Sequence, residues 1–168
     1  MTTVHDGRMD PAAVREAFAC FPSGVVALAA EVDGVPEVMV ASSFATGISL
    51  EPPLVAFAAQ RTSATWPRLA RATRIGISVL GDAHSTTCRQ LAARDRARRF
   101  DGVAHTRLAS GAVVLHDAAA TLECTVHRIV PAGDHDLVLL EPIALGTDRS
   151  VLPLIFHHSA LRSLPPKE

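Results

Sequence analysis

The sequence predicts a mainly β fold with short helices, wound as an antiparallel barrel, and three observations carry that prediction. Strand-length apolar or alternating runs outnumber helical patterns along the chain. Asp33-Gly34 stands between two such runs as a two-residue hairpin signal. A second tight turn, Gly133-Asp134-His135, joins the alternating run Thr121 to His127 to the apolar run Leu137 to Leu140. Hairpin-linked strands build antiparallel sheets, whereas a parallel dinucleotide-binding sheet would carry G-x-G-x-x-G between a strand and a helix, and that loop is absent.

Asp10-Pro11 opens a first helix, because the carboxylate can cap it and proline forfeits no needed N–H in the first turn. Val14, Ala17, Phe18 and Phe21 then share a face, and Pro22-Ser23-Gly24 stops the helix. Gly24 to Val32 reads as a strand and Val35 to Ser43 as its return, with Pro36 suited to a strand start or edge. Pro52-Pro53 punctuates the strand Leu54 to Ala59, and a short helix containing Pro67 and Leu69 follows. Arg74 to Leu80 alternates Ile75, Ile77 and Val79 inward. Beyond Gly81 a helix runs through Cys88, Leu91 and Ala92 into the basic stretch Arg94 to Arg99. Further strands are expected near Ala112 to His116, Ala118 to Val130, Asp136 to Leu145 and Leu152 to His157. The 168 residues suit one domain, residues 1–168, with 1–9 as a flexible tail.

Sixteen basic residues against 17 acidic leave no general electrostatic footprint for nucleic acid or an anionic membrane surface. Asp95 and Asp101 also break the Arg94–Arg99 run, which reads as a solvated face. Apolar runs are strand-length, far short of the roughly 20 residues a bilayer requires. With no secretory pattern at the start and with Cys20, Cys88 and Cys124 far apart, a reduced cytoplasmic protein is expected. Aromatics make up 4% of the chain, so Ala, Val and Leu must fill the core, and such a core calls for a partner surface to bury enough area.

Three stretches are candidates for chemistry. Ala41 to Pro53 concentrates small and hydroxyl residues where a flat ring with polar edges could approach backbone N–H and C=O groups; an ordinary loop would have the same composition. Arg61-Thr62-Ser63-Ala64-Thr65 brings a guanidinium, hydroxyls and helix-start N–H groups together, which suits a phosphate or plain helix capping. His135 exits a turn that needs no histidine for its geometry, although a backbone-bonded turn residue is the other reading. His157-His158 is not expected to share a metal, since neighbours on a strand face opposite ways, and no ligand-spaced His/Cys motif exists elsewhere. No G-x-S-x-G setting supports a serine hydrolase.

Taken in order, these stretches resemble the flavin reductase-like family, small split-barrel flavoproteins that supply reduced flavin to two-component monooxygenases. The resemblance runs from about Val14 to Leu164 and includes Phe18 to Val25, Ser42-Ser43-Phe44 with Ser49 to Val55, Thr62 to Pro67, Arg99 to Val103 and Gly133-Asp134-His135. It implies an FMN-binding type of split barrel, a homodimer, and FMN or FAD in a cleft at the subunit interface, with NADH or NADPH as co-substrate. By the same resemblance Val40, Ala41, Ser42 and Ser43 line the flavin ring, and the Arg61 stretch with Ser63 and Thr65 serves the phosphate. Arg99 approaches the phosphate or nucleotide end, the Gly133-Asp134 turn lies by flavin and nicotinamide, and His135 orients the nicotinamide. A flavin-dependent monooxygenase is the implied partner. Three stretches depart from the family pattern: Glu37-Val38 stands where His-Gly is common, Val40, Ala41 and Ser42 replace the asparagine or threonine often seen in that strand, and Phe156 to Leu161 lacks the usual glycine and final aromatic. The alternative function is a flavin- or planar-ligand-binding module without reductase activity on the same barrel.

Overall fold

The computed structural model describes residues 9–164; apart from Met9, the tail expected over residues 1–9 lies outside the described residues. Asp10 caps α1 (Pro11–Ala19), its carboxylate accepting from the Ala13 N–H at 3.3 Å. Then come β1 (Ser23–Gly24), β2 (Val26–Val32) and β3 (Val35–Ala41). Asp33 and Gly34, between β2 and β3, both have positive φ, as a tight hairpin turn of this hand requires. The chain continues through β4 (Ala45–Leu50), β5 (Pro53–Gln60), α2 (Trp66–Leu69), β6 (Ile75–Val79) and α3 (Thr87–Leu91). It ends with β7 (His105–Arg107), β8 (Val113–Leu115), the long hairpin β9 (Ala120–Ala132) and β10 (His135–Thr147), then β11 (Leu154–His157) and β12 (Ala160–Ser163).

Seven strands form one antiparallel sheet in the order β3-β2-β6-β9-β10-β5-β4, while β1-β11-β12 and β7-β8 form two smaller sheets. The large sheet curls around Phe57, Leu28, Ile75, Ile77, Val138 and Leu140, so its two ends approach each other without pairing strand to strand. A second core lies outside that curl, where Val25, Ala27, Ala29 and Val38 meet Leu80, Leu91, Val113, Leu115 and Leu154. β2 therefore divides two interiors: Val26, Leu28 and Ala30 enter one, Ala27 and Ala29 the other.

The same division explains β6, where the expected inward alternation describes only one face. Ile75 and Ile77 enter the barrel, while Gly76 and Ser78 are buried beneath β8. A Cβ at Gly76 would lie 2.1 Å from the Val113 carbonyl oxygen, so only glycine admits that crossing. Ser78 Oγ accepts from the Leu115 N–H at 2.9 Å, satisfying a buried donor at the same contact.

Three local expectations are corrected. Ala45–Leu50, read as ligand-binding loop, is a strand; it pairs only with β5, and its Ile48 and Leu50 stay exposed, which hides the usual alternation. The first helix, read as running to Phe21, ends at Ala19, and Phe18 and Phe21 are 74% and 76% exposed. His157 and His158 do not oppose each other across a strand. His158 and Ser159 occupy a turn at φ 49° and 58°, and the two imidazole rings lie 4.0 Å apart. Among the described residues no three His, Cys, Asp or Glu side chains converge as metal ligands.

Candidate functional site

β3 ends the large sheet, so one of its edges has no strand partner. Glu37, Met39 and Ala41 lie opposite Ala30, Leu28 and Val26 of β2, the residues of β2 that turn from β6; the Leu80 N–H donating to the Val25 carbonyl fixes that alternation. The backbone groups of Val38 and Val40 therefore face outward, with Ser42 next in phase beyond the strand end. A cleft of about 390 Å³ runs along this edge. Met39, Val40, Ala41, Ser42 and Ser43 form one wall, and Ala58 and Gln60 of β5, Ser63 and His135 form the other.

Ser43 joins the walls. Its hydroxyl accepts from the Ala58 N–H at 3.0 Å and lies 3.3 Å from the Ala58 carbonyl, to which it donates. It thus replaces a strand partner for β5 just past Ala56, the last β5 residue paired with β4. Ser63 Oγ accepts from the N–H groups of Thr65 and Trp66 at 3.3 and 3.1 Å, so it starts α2 while bordering the cleft. Gly133 turns at φ 63°, and His135 pairs with both Ala132 and Gln60. The Asp134 carbonyl accepts from the Arg61 N–H at 3.1 Å, and Arg61 Nε donates to Asp136 at 3.0 Å. Arg61 thereby sits at the rim beside the turn.

Two residues expected to meet a phosphate face inward. Arg99 is 9% exposed and Thr65 6%. From Arg99, Nη1 donates to the Val38 carbonyl at 2.6 Å and to Thr65 Oγ1 at 3.0 Å, and Nε donates to the Ala93 carbonyl at 2.7 Å. One guanidinium thus ties the free edge of β3 to the turn that carries Ser63, bracing the cleft from behind. Burial pulls its pKa below the ordinary arginine value, while the Glu37 carboxylate pulls it back up. Glu37 is buried too, and it accepts a hydrogen bond from Arg68 of α2. The departure from His-Gly at Glu37-Val38 is taken up by this brace, not by the cleft.

Six of the sequence-chosen residues border one cavity: Val40, Ala41, Ser42, Ser43, Ser63 and His135. Arg61, Gly133 and Asp134 frame its rim, and Thr65 and Arg99 lie behind it. The sequence reading missed Met39, Ala58 and Gln60. Gln60 did leave a signal, as a polar residue ending an apolar strand. Two further clefts meet this one at Ser42. One of about 260 Å³ lies among Val25, Cys88, Arg89, Phe156 and Leu161. Another, of about 560 Å³, opens between α1 and Phe44. Small side chains, unpaired strand-edge amides and hydroxyls match the edges of a flat heteroaromatic ring, and none of the cleft's side chains is a nucleophile set beside a base.

The model of the "Flavin reductase like domain" matches residues 18–165. The chain belongs to the flavin reductase-like family. Actinorhodin polyketide dimerase of Streptomyces coelicolor is 36% identical over 148 residues, 88% of this chain and 82% of that protein. The reductase subunit HsaB of a flavin-dependent monooxygenase from Rhodococcus jostii is 30% identical over 158 residues, 94% of this chain and 80% of the subunit. Among solved structures, the NADH:FAD oxidoreductase SgcE6 of Streptomyces globisporus, in complex with NAD and FAD fragments, superposes with a TM-score of 0.87 at 29% identity. The match covers 96% of this chain and 98% of that one. The split barrel of the flavin reductase-like family is the fold built here by the seven-stranded sheet.

Proposed function

We propose that this chain is an NAD(P)H-dependent flavin reductase, taking FMN or FAD at the free edge of β3. The observation that carries the reading is a single cleft with exposed strand-edge amides on one wall and His135 on the other. When bound, a flavin accepts hydride from a nicotinamide and carries the electrons onward. The backbone of Val40 to Ser43 and the Ser42 hydroxyl hold the ring's polar edge, and Ser63 with Arg61 receives the phosphate. Thr65 and Arg99 keep the two walls at a fixed separation. The Gly133-Asp134 turn aims His135 at the nicotinamide. The chemistry asks for little beyond geometry, and donors at the ring stabilise its anionic reduced form.

The active form is a homodimer of one flavin reductase-like domain per chain, at work in the cytoplasm. Phe18, Phe21, Leu50 and Leu145 each leave more than 70% of their surface exposed, more apolar area than a monomer of this size gains by showing. Cys20, Cys88 and Cys124 are free thiols, in keeping with a reducing compartment. No helix among the described residues is long and apolar enough to cross a membrane. The partner that consumes the reduced flavin is a flavin-dependent monooxygenase, the kind of enzyme to which the Rhodococcus relative belongs as a reductase subunit.

The test is oxidation of NADH and NADPH by purified protein with FMN or FAD added. Flavin-dependent oxidation above the protein-free rate is expected; its absence in all four pairings would overturn the reading in favour of a binding module. His135→Ala should raise the nicotinamide KM about tenfold, the value of one lost hydrogen bond at the upper end of the usual range, and leave flavin affinity within about twofold. Equal loss of both would make His135 a structural residue.

A further inference from the structure

His135 and the residue before it form a bonded pair. Nδ1 of His135 lies 2.7 Å from Oδ1 of Asp134. The backbone beneath them is held on three sides, by Gln60, by Ala132 and by the Arg61 N–H bonded to the Asp134 carbonyl. The hydrogen bond from His135 holds the Asp134 carboxyl below the usual carboxylate range, with Arg15 of α1 adding to the effect. Other charges at the turn, Arg61 and Asp136, neutralise each other at 3.0 Å.

An ionised carboxylate has no hydrogen to donate, so the proton in this bond belongs to Nδ1. A neutral imidazole carries one N–H, which leaves Nε2 as a bare lone pair. His135 borders the cleft, and no described residue bonds its Nε2. The neutral ring therefore presents an acceptor to a ligand.

We infer that Asp134 is a positioning residue: it fixes His135 in the Nδ1–H tautomer, so that Nε2 accepts from the carboxamide N–H of a nicotinamide. The inference rests on the reductase reading and deepens it. It assigns a selection rule to the site: the pyridine ring must carry a donor, and a carbonyl alone does not suffice. An Asn at position 134 would not preserve the rule, since its side-chain amide can either accept from Nδ1–H or donate to a bare Nδ1, and so allows both tautomers.

Two measurements test this. The ¹⁵N shifts of the His135 ring, recorded at alkaline pH on ligand-free and flavin-saturated protein, should identify Nδ1 as protonated and Nε2 as bare in the wild type. Asp134→Asn and Asp134→Ala should populate the Nε2–H form. Binding of NAD⁺ and of its 3-acetylpyridine analogue, in which a methyl group replaces the amide nitrogen, is then compared by calorimetry on flavin-saturated protein. The analogue should bind the wild type about fivefold to tenfold more weakly, and this ratio should fall towards one in Asp134→Ala and in His135→Ala. An Nε2–H ring in the wild type, or equal affinity for the two nucleotides, would overturn the inference. So would a His135→Ala protein that loses flavin and keeps the nucleotide ratio, because Nε2 would then serve the flavin. Failure of the reductase reading appears separately, as absence of NAD(P)H oxidation with the ring shifts unchanged.

Discussion

Phe57 and Phe21 are the same residue put to opposite uses. Phe57 is wholly enclosed in the barrel, its ring meeting Trp66 edge-on at 5.1 Å and 82°. Phe21 is 76% exposed beside α1. The chain holds six Phe and one Trp, and four of those Phe, Phe18, Phe21, Phe44 and Phe156, border one open cleft. A sequence this poor in aromatics fills its interior with aliphatic side chains around one aromatic pair, packs Phe44, Phe100 and Phe156 against the margins of its two cores, and leaves Phe18 and Phe21 exposed. The barrel core closes around Phe57; at Phe21 the single chain leaves the ring to solvent.

Truncation separates the two most sharply. Phe57→Ala should cost about 3–5 kcal/mol of unfolding free energy in urea titration, through lost burial and the cavity left behind. Phe21→Ser should stay within about 0.5 kcal/mol on the same measurement, as exposed positions do, while sedimentation shifts from dimer to monomer. Comparable losses of stability would mean that the α1 face belongs to the core, and an unchanged dimer would remove it from the interface.

Arg99 comes next in size, because it lies where the two regions join. Arg99→Met leaves Glu37 with Arg68 alone and strips the Val38 and Ala93 carbonyls and Thr65 Oγ1 of their donor. A loss of about 3 kcal/mol is expected for breaking such a buried charged network. Flavin affinity should fall with it, as the free edge of β3 is released from the Ser63 turn. Arg99→Lys should recover only part of both losses, because one ammonium cannot span partners that a planar fork reaches together. A variant that loses stability but binds flavin normally would confine the brace to the core.

The position of Arg99 also marks where the sequence stopped being informative. Asp10-Pro11, Asp33-Gly34 and Gly133-Asp134-His135 act through their own backbone geometry, so local chemistry was enough to read them. Ser42, Ser43, Ser63 and His135 were candidates by residue type, with loop and capping readings open beside them, and the fold brings all four to one cleft. Arg99 stood in a run of arginines that looked solvated, and only the fold shows it turned inward, since its partners lie 61 and 34 residues away. Gly76 and Ser78 made sense only once β8 crossed them. β4 was obscured for the opposite reason: it sits at a sheet edge with exposed apolar residues, so burial imprinted no pattern on it. The barrel was readable from hairpins, part of the cleft from residue type and family resemblance, and the brace behind it from neither.

A smaller step divides two adjacent serines. Ser43→Ala removes the hydroxyl that bonds Ala58 and should cost about 0.5–1 kcal/mol, the net value of a hydrogen bond at an exposed position where water can take its place. Ser42 makes no side-chain bond among those described and is exposed, so Ser42→Ala should leave unfolding unchanged and weaken flavin binding alone. Matching stability losses in the two variants would show that both serines are structural.

The mildest probe leaves the fold intact and reports on the contrast between Phe57 and Phe21 through the thiols. The thiolate is the species that alkylates. Burial pushes the Cys88 thiol up, and it pushes Cys124 in the barrel up to about 12, so neither supplies thiolate near neutrality. Cys20 is exposed at the end of α1, next to Phe21. Iodoacetamide at about pH 8 should therefore modify Cys20, the one exposed thiol, and spare the other two. If a second copy covers the α1 face, the rate of that modification should fall as protein concentration rises through the dimer dissociation constant, and Phe21→Ser should abolish the dependence. A rate independent of concentration in both proteins would leave the four phenylalanines to a ligand, and added flavin or nicotinamide nucleotide would then be the agent that slows Cys20.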